Sequence, residues 1–498
     1  MNANAQTGLL YGLEDRPDPV RSFFYALQWI GFTLANVMVV PIVIGPYLGL
    51  DAASAAQLLQ RVFFFVGLGS LLQLYWGHRL PIVEGTAGMW WAIFISLGST
   101  AMATGKPLAI LRTDLELGLM AAGAVTLLLG ATGIIGRILQ LFTPAVTGTM
   151  MVLLALELSS NAVPNMLGLG LLGDAIHGPT ALLSLLVLAC VAAVSLYGPR
   201  YLRSFGILVG MALGWAAFAA LGLADSGWAG ALNHGGSSAD ALAAAEQAVR
   251  AVGFAWPLAW GRPTFDPGVV LVCVMTALLV TANQVAAVQV MGEAVGRPAG
   301  PATFNRSLTI TGVANVLCGA SACLGLTPFA SAAAMVNLSG VAARAPFLLH
   351  ALLLMVMGMV PGLSMVLAQI PQPVGNAVLL VAACQLFLIG VRHYATMGLS
   401  QRDTFVLGAA VLGGAGVMFL PAEALTALPS TLQYVFGNGM MTGMLVAVAA
   451  DRLLPEPQEP PGQPASRPAS PGQPPGSPQG ASVPETESSS QPGARERG

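Results

Sequence analysis

Apolar positions recur along this chain in blocks of membrane length, separated by short connections that hold most of the charge. About eighteen or more consecutive apolar residues suffice for a helix to cross a bilayer. The pattern predicts such spans at about 22–44, 56–77, 115–135, 142–160, 177–197 and 202–222, then at 267–291, 307–324, 346–366, 373–391, 404–420 and 432–450.

Two further blocks break the pattern. Leu80–Ile93 reads LPIVEGTAGMWWAI: a proline, then the small residues Gly85, Thr86, Ala87 and Gly88, then a bulky helical run. Leu326–Arg344 reads LTPFASAAAMVNLSGVAAR and repeats the plan, with Pro328 followed by Ala330, Ser331, Ala332, Ala333 and Ala334. Each predicts an extended start that turns helical. Backbone of that kind survives at membrane depth only where protein buries it or where it lines a cavity. Paired broken segments in corresponding places of two halves point to a transporter with its site between them.

The layout is therefore an all-α polytopic membrane protein of fourteen segments, seven plus seven, with short strands in segments 3 and 10. An odd number per half inverts the second repeat against the first. The expected divisions are an N-terminal arm at 1–20, a first repeat at 21–222, an extracytoplasmic loop at 223–265, a second repeat at 266–452 and a tail at 453–498. Residues 239–252 of the loop can form a surface helix. With the N-terminus cytoplasmic, the inner connections hold twelve arginines, among them Arg79, Arg297, Arg306, Arg344 and Arg392. The outer side holds five basic residues, Arg61, Lys106, Arg112, Arg250 and Arg262. This positive-inside bias predicts a multi-pass protein of the cell membrane with both termini cytoplasmic. The tail is rich in Pro, Gly, Ser and Gln, a composition that cannot offset the entropy of folding, and reads as disordered.

Composition narrows the function classes. Charged residues are 8% of the chain, against about 25% in soluble domains. A net charge of −2 gives no footprint for nucleic acid. Cys190, Cys273, Cys318, Cys323 and Cys384 all fall in apolar stretches without metal-ligand spacing. Zinc-protease, nucleophile-elbow and P-loop motifs are not found, which argues against an enzyme. The expected partners are a small-molecule substrate and the lipid bilayer, with no metal and no resident cofactor.

Ionisable residues inside a bilayer default to function. Glu84, Glu157, Glu293, His350 and Arg61 are the candidates, against interfacial, packing or snorkelling roles. Glu84 and Glu293 are candidate coupling groups. Polar uncharged residues suit a neutral ligand better. Thr281, Asn283 and Gln284 interrupt one apolar span near its middle, where they line a site or bond neighbouring helices. Gln28 stands under the same choice. Thr86 and Ser331 sit where strand meets helix and backbone groups are free. Trp29, Phe329, Trp90 and Trp91 can stack on a flat ring or serve packing.

At these residues the chain resembles the nucleobase–ascorbate transporters, or nucleobase:cation symporter-2 family, the xanthine/uracil permeases. Gln28-Trp29 is similar to the family's Gln-His pair, and Pro81…Gly85-Thr86-Ala87 to the segment before its Gly-Ser-Ser turn. Ala282-Asn283-Gln284 stands at its glutamate-containing motif, Asn305-Arg306-Ser307-Leu308 at its Asn-Arg-Gly-Leu entry, and Pro373-Val374-Gly375-Asn376 at its Pro-Val-Leu-Gly-Gly start. Leu326–Arg344 occupies the signature, and Gly443, Asp451 and Leu454-Pro455 resemble the last-span ending. The resemblance spans about 15–455. It implies core and gate domains, H⁺ or Na⁺ as coupling ion, a homodimer, and substrate contacts at Gln28, Thr86, Asn283 and Ser331. The family's recognition carboxylate falls on Asn283 and its acidic or histidine partner on Ala287. The Glu or Gln of segment 10 falls on Ser331 and its Asn neighbour on Ala332. The histidine of span 1 is Trp29, and the aromatic after the turn is Gly88. These departures leave open an anion carrier on the same fold, and more remotely a channel or a non-transporting sensor.

Overall fold

Prolines at first helical positions and short polar caps begin most of the helices, as expected where a missing N–H costs nothing and orphan N–H groups need an acceptor. The computed structural model describes residues 9–86, 88–134, 143–169, 175–199, 206–223, 257–397, 400–420 and, apart from 430–431, 434–435 and 437, residues 428–454; at Leu338 it describes the backbone alone. Helix α1 (Pro19–Val37) is capped by Asp18, and a short α2 (Val40–Ile44) continues its line. Asp51 caps α3 (Ala52–Tyr75). Strand β1 (Glu84–Thr86) leads to α4 (Gly88–Thr104), followed by α5 (Leu108–Thr132), α6 (Pro144–Met166), α7 (Gly178–Tyr197) and α8 (Gly206–Ala220). After the loop come α9 (Pro267–Ala294), capped by Asp266, α10 (Pro301–Ala320), strand β2 (Leu326–Pro328) and α11 (Ser331–Ser339). Helices α12 (Arg344–Gly358) and α13 (Pro361–Leu367) meet at 85°. Then α14 (Gln372–Ala395), α15 (Gln401–Met418) and α16 (Gly439–Leu453) end the described chain.

Seven described helical stretches are long and apolar enough to cross a membrane, or eight if α12 and α13 count as one bent span. Their outer faces leave Leu182, Leu186, Phe405, Leu412 and Phe419 exposed, as a lipid solvent permits. The protein is an all-α polytopic membrane protein. Its helix pairs mirror one another: α5 lies on α10 as α3 lies on α12, α7 pairs with α8 as α15 pairs with α16, and α6 lies on α14. The α5–α10 crossing is close because it is glycine-lined. A Cβ on Gly123 would stand 2.5 Å from Val316 N, and one on Gly312 2.3 Å from Leu127 N. Small residues at such crossings substitute for the hydrophobic drive that lipid cannot supply.

The two broken segments meet. β1 and β2 pair antiparallel, with Glu84 opposite Pro328, Gly85 opposite Thr327 and Thr86 opposite Leu326. The chain turns toward each strand through a left-handed residue that is not glycine, Arg79 at φ 62° before β1 and Ala322 at φ 52° before β2. Each costs about 1–2 kcal/mol and holds only because its surroundings fix it. Asn315 clamps β2: its Oδ1 accepts from Leu326 N at 2.6 Å and its Nδ2 donates to Leu326 O at 3.3 Å. Ser70 Oγ accepts from Glu84 N at 3.0 Å.

Part of the expected N-terminal arm is tied down. Leu10 N donates to Gly340 O at 2.8 Å, Ala342 N to Tyr11 O at 2.9 Å, and Arg344 pairs with Glu14 at 2.7 Å. Residues 1–8, most of the expected loop (224–256) and the tail from 455 lie outside the described residues.

Candidate functional site

A cavity of about 190 Å³ opens where the strand pair ends and α4 and α11 begin. Thr86, Gly88, Met89 and Trp91 line it from one broken segment, and Pro328, Phe329, Ala330 and Ser331 from the other. Asn36 of α1, Asn283 of α9, and Ala382, Gln385, Leu386 and Ile389 of α14 close it with Met151, Leu158 and Ile207. Among the described residues, the lining includes no Asp, Glu, Lys, Arg or His.

The polar groups there are spare. Among the described residues the side chains of Asn283, Gln385 and Ser331 make no hydrogen bond to protein, and the buried Thr86 hydroxyl has no partner. Asn36 uses its Nδ2 on Phe32 O at 2.8 Å, which leaves its Oδ1 as an acceptor. Two carboxamides and two hydroxyls, each able to donate and accept, therefore converge on an otherwise apolar cavity. Phe329 supplies a ring, held edge-on to Phe32 with centroids 6.5 Å apart.

Of the residues singled out from sequence, Thr86, Gly88, Trp91, Asn283, Phe329 and Ser331 meet at this cavity. The others do not. Gln284 points away from it and donates through Nε2 to Ser307 Oγ and Thr311 Oγ1, both at 2.8 Å. One residue along a helix is a turn of about 100°, so Asn283 and Gln284 cannot share a face. Trp29 is 3% exposed and packs edge-on to Phe347, with centroids 5.2 Å apart, close to His350. His350 is taken up by Thr33 Oγ1 at 2.8 Å. Gln28 Nε2 approaches Met335 Sδ at 3.9 Å. Ala287 and Ala332 are buried in packing. Glu293 lies at the exposed end of α9 against Gln289, 3.2 Å away. Ala87 lies outside the described residues. Sequence reasoning missed Gln385; its signal is a lone carboxamide in the run LLVAACQLFLIG.

A second space of about 410 Å³ adjoins the first, sharing Met151, Asn283, Ala330 and Ile389. It runs past Ala286 and Val290 to Arg392, His393 and Thr396 at the end of α14. This second space forms a vestibule that leads from the cavity toward the Arg392 end of α14.

Residues 20–423 match the family model described as Permease family, that of the xanthine/uracil permeases. The chain belongs to that family. Similar proteins include the putative purine permease YwdJ of Bacillus subtilis, 28% identical over 86% of this chain and 94% of the relative. The uric acid transporter UacT of Escherichia coli is 24% identical over 87% of this chain and 88% of its own, and the xanthine permease XanQ of that species 23% identical over 91% and 95%. Among solved structures, the transmembrane domain of the cyanobacterial bicarbonate transporter BicA matches with TM-score 0.56 at 13% identity, over 88% of this chain and 99% of that one. The murine anion transporter Slc26a9 in its inward-facing state matches with TM-score 0.58 at 14% identity, over 88% and 69%. These likenesses concern the fold. As a member of this family, the protein is a multi-pass, secondary-active small-molecule transporter and not an enzyme.

Proposed function

We propose that this permease carries a nucleobase, a xanthine-, urate- or uracil-like ring, by alternating access across the cell membrane. The observation that supports this is the cavity itself. Its spare carboxamides and hydroxyls offer donors and acceptors to the edges of a flat heterocycle, and Phe329 and Trp91 offer faces to stack on. A site whose polar groups are left unpaired discriminates strongly for ligands that satisfy them. The relatives named for purines, uric acid and xanthine support the same cargo.

Alternating access rests on two inverted repeats of seven segments, 21–222 and 266–452. The paired strands, the left-handed residues before each, and the mirrored helix contacts support that division. The face bearing Arg79, Arg297, Arg306, Arg344 and Arg392 is assigned as cytoplasmic, so the vestibule gives an inward-facing state. Uptake of radiolabelled xanthine, urate, hypoxanthine and uracil into vesicles tests the reading; absence of uptake and of competition by every base overturns it.

One observation favours a second reading, carriage of a small anion. Among the described residues the cavity lining has no carboxylate to repel one, and the fold is similar to that of a bicarbonate and an anion transporter. Anion-dependent uptake unaffected by any base would establish it.

A further inference from the structure

The cavity lining holds no carboxylate among the described residues, yet a buried one stands two residues from Thr86. Glu84 opens β1, whose last residue, Thr86, lines the cavity. Its side chain is 2% exposed and the His78 ring beside it 0%. His78 Nε2 lies 3.2 Å from Glu84 Oε1. His78 Nδ1 accepts from Leu80 N at 3.0 Å, so Nδ1 bears no proton and the single proton of the ring is on Nε2, directed at Glu84. His78 is thereby held as a neutral donor.

Glu14, Arg79, Arg297, Arg306 and Arg344 share a cavity with His78, but none of them is paired with Glu84 among the described residues. α3 presents Gly69, Ser70 and Gln73 to it, and β2 presents Leu326. The titratable groups of α1 are Arg21, which bonds Asp18 and Tyr11, and Tyr25. Among the described residues no lysine or arginine forms an ion pair with Glu84. A carboxylate ion without a cation costs several kcal/mol in such an enclosure, whereas the neutral acid does not.

The pair is also connected. His78 N donates to Gln73 Oε1 at 3.2 Å, and Gln73 Nε2 donates to Ser307 O and Thr311 Oγ1 at 2.8 Å. Gln284, the neighbour of Asn283, donates to the same Thr311 hydroxyl and to Ser307 Oγ. On its other side His78 lines a cavity of about 380 Å³ with Glu14, Arg79, Arg297, Arg306 and Arg344. Glu84 thus stands two residues from a lining residue of the substrate cavity, and its partner His78 lines a second, charged cavity.

We infer that Glu84, with His78 as its fixed donor, carries the proton co-transported with the substrate. The step is one protonation, carboxylate plus H⁺ giving the neutral acid, reversed on the opposite side. This rests on the nucleobase reading and names its coupling residue.

The test uses the full chain in proteoliposomes with radiolabelled xanthine and urate. Wild type should accumulate label under an inward proton gradient and acidify a lumenal pH dye. Glu84→Gln should exchange label across the bilayer within about threefold of wild type while losing gradient-driven accumulation at least about tenfold, with uptake no longer pH-dependent. Glu84→Asp should restore it in part, which separates lost coupling from misfolding. Accumulation and proton flux that persist in Glu84→Gln, or a wild type that moves no protons with label, overturn the assignment. Infrared spectroscopy reads the same residue without substrate: a carboxylic-acid stretch at neutral pH should vanish in Glu84→Gln, and its absence from wild type overturns the proposal. Failure of wild type to exchange any base, with that band present, sinks the nucleobase reading alone.

Discussion

The ring of Phe329 lies against the backbone of Gly85, so close that a Cβ there would stand 2.1 Å from its Cζ and 2.4 Å from its Cε2. Phe329 N also donates to Val83 O at 3.0 Å. One strand segment thereby positions the aromatic residue of the other, at the point where both enter the cavity. Gly85→Ala should push the ring into the cavity or splay the strands. The expected cost is about 1–3 kcal/mol of stability and roughly tenfold weaker ligand binding, the equivalent of about 1.4 kcal/mol. Thermal unfolding in detergent and equilibrium binding of labelled xanthine measure the two. Wild-type affinity in Gly85→Ala would show that the position of Phe329 does not matter to the ligand.

Asn283 and Gln385 face one cavity from α9 and α14, and neither spends its carboxamide on protein. If both bond one base, removing either loses hydrogen bonds worth about 0.5–1.5 kcal/mol each. Asn283→Ala and Gln385→Ala should each weaken binding by up to about tenfold. Their effects should be non-additive by about 0.5 kcal/mol or more, because the ligand couples them. A double-mutant cycle on the dissociation constant decides the matter. Strict additivity would place the two on different ligands or none.

How much of this was legible in the chain depended on which signal carried it. The broken segments could be read because a proline and a run of small residues interrupt apolar blocks at 81–88 and 328–334, and only buried backbone tolerates that. Asn283 could be read as a costly polar group at mid-span. Gln385 gives the same kind of signal, a lone carboxamide in an apolar run, but α14 is apolar nearly all round and leaves no amphipathic trace of which face it turns to a cavity. Gln28 and Trp29 were placed by motif, yet it is Asn36, about two turns further along α1, that reaches the cavity. The apolar run 346–366 predicts one span, but the 85° bend before Pro361 is within reach of sequence, since the residue preceding a proline leaves the helical region.

The Gln73 side chain is a stability element. It joins α3 to α10 through Ser307 and Thr311 and caps His78 N. Hydrogen bonds between membrane helices average about 0.6 kcal/mol each, and a buried N–H left without a partner adds about 1–3 kcal/mol. Gln73→Leu should therefore cost about 2–4 kcal/mol in total, read as a lowered midpoint of thermal unfolding in detergent. An unchanged midpoint would mean that the network is dispensable for packing.

The vestibule makes a directional prediction. Ala286 and Val290 line it between Asn283 and Arg392, one helical turn apart on α9. Of the native cysteines, Cys273, Cys318 and Cys323 are buried, whereas Cys190 and Cys384 are not. With those two replaced by serine, Ala286→Cys and Val290→Cys should react with a membrane-impermeant thiol reagent applied to the face that bears Arg392, and not from the opposite face. A saturating base should protect Ala286→Cys more than Val290→Cys, because position 286 lies nearer the cavity. Labelling of both from the opposite face alone would mean that the substrate path does not follow this space.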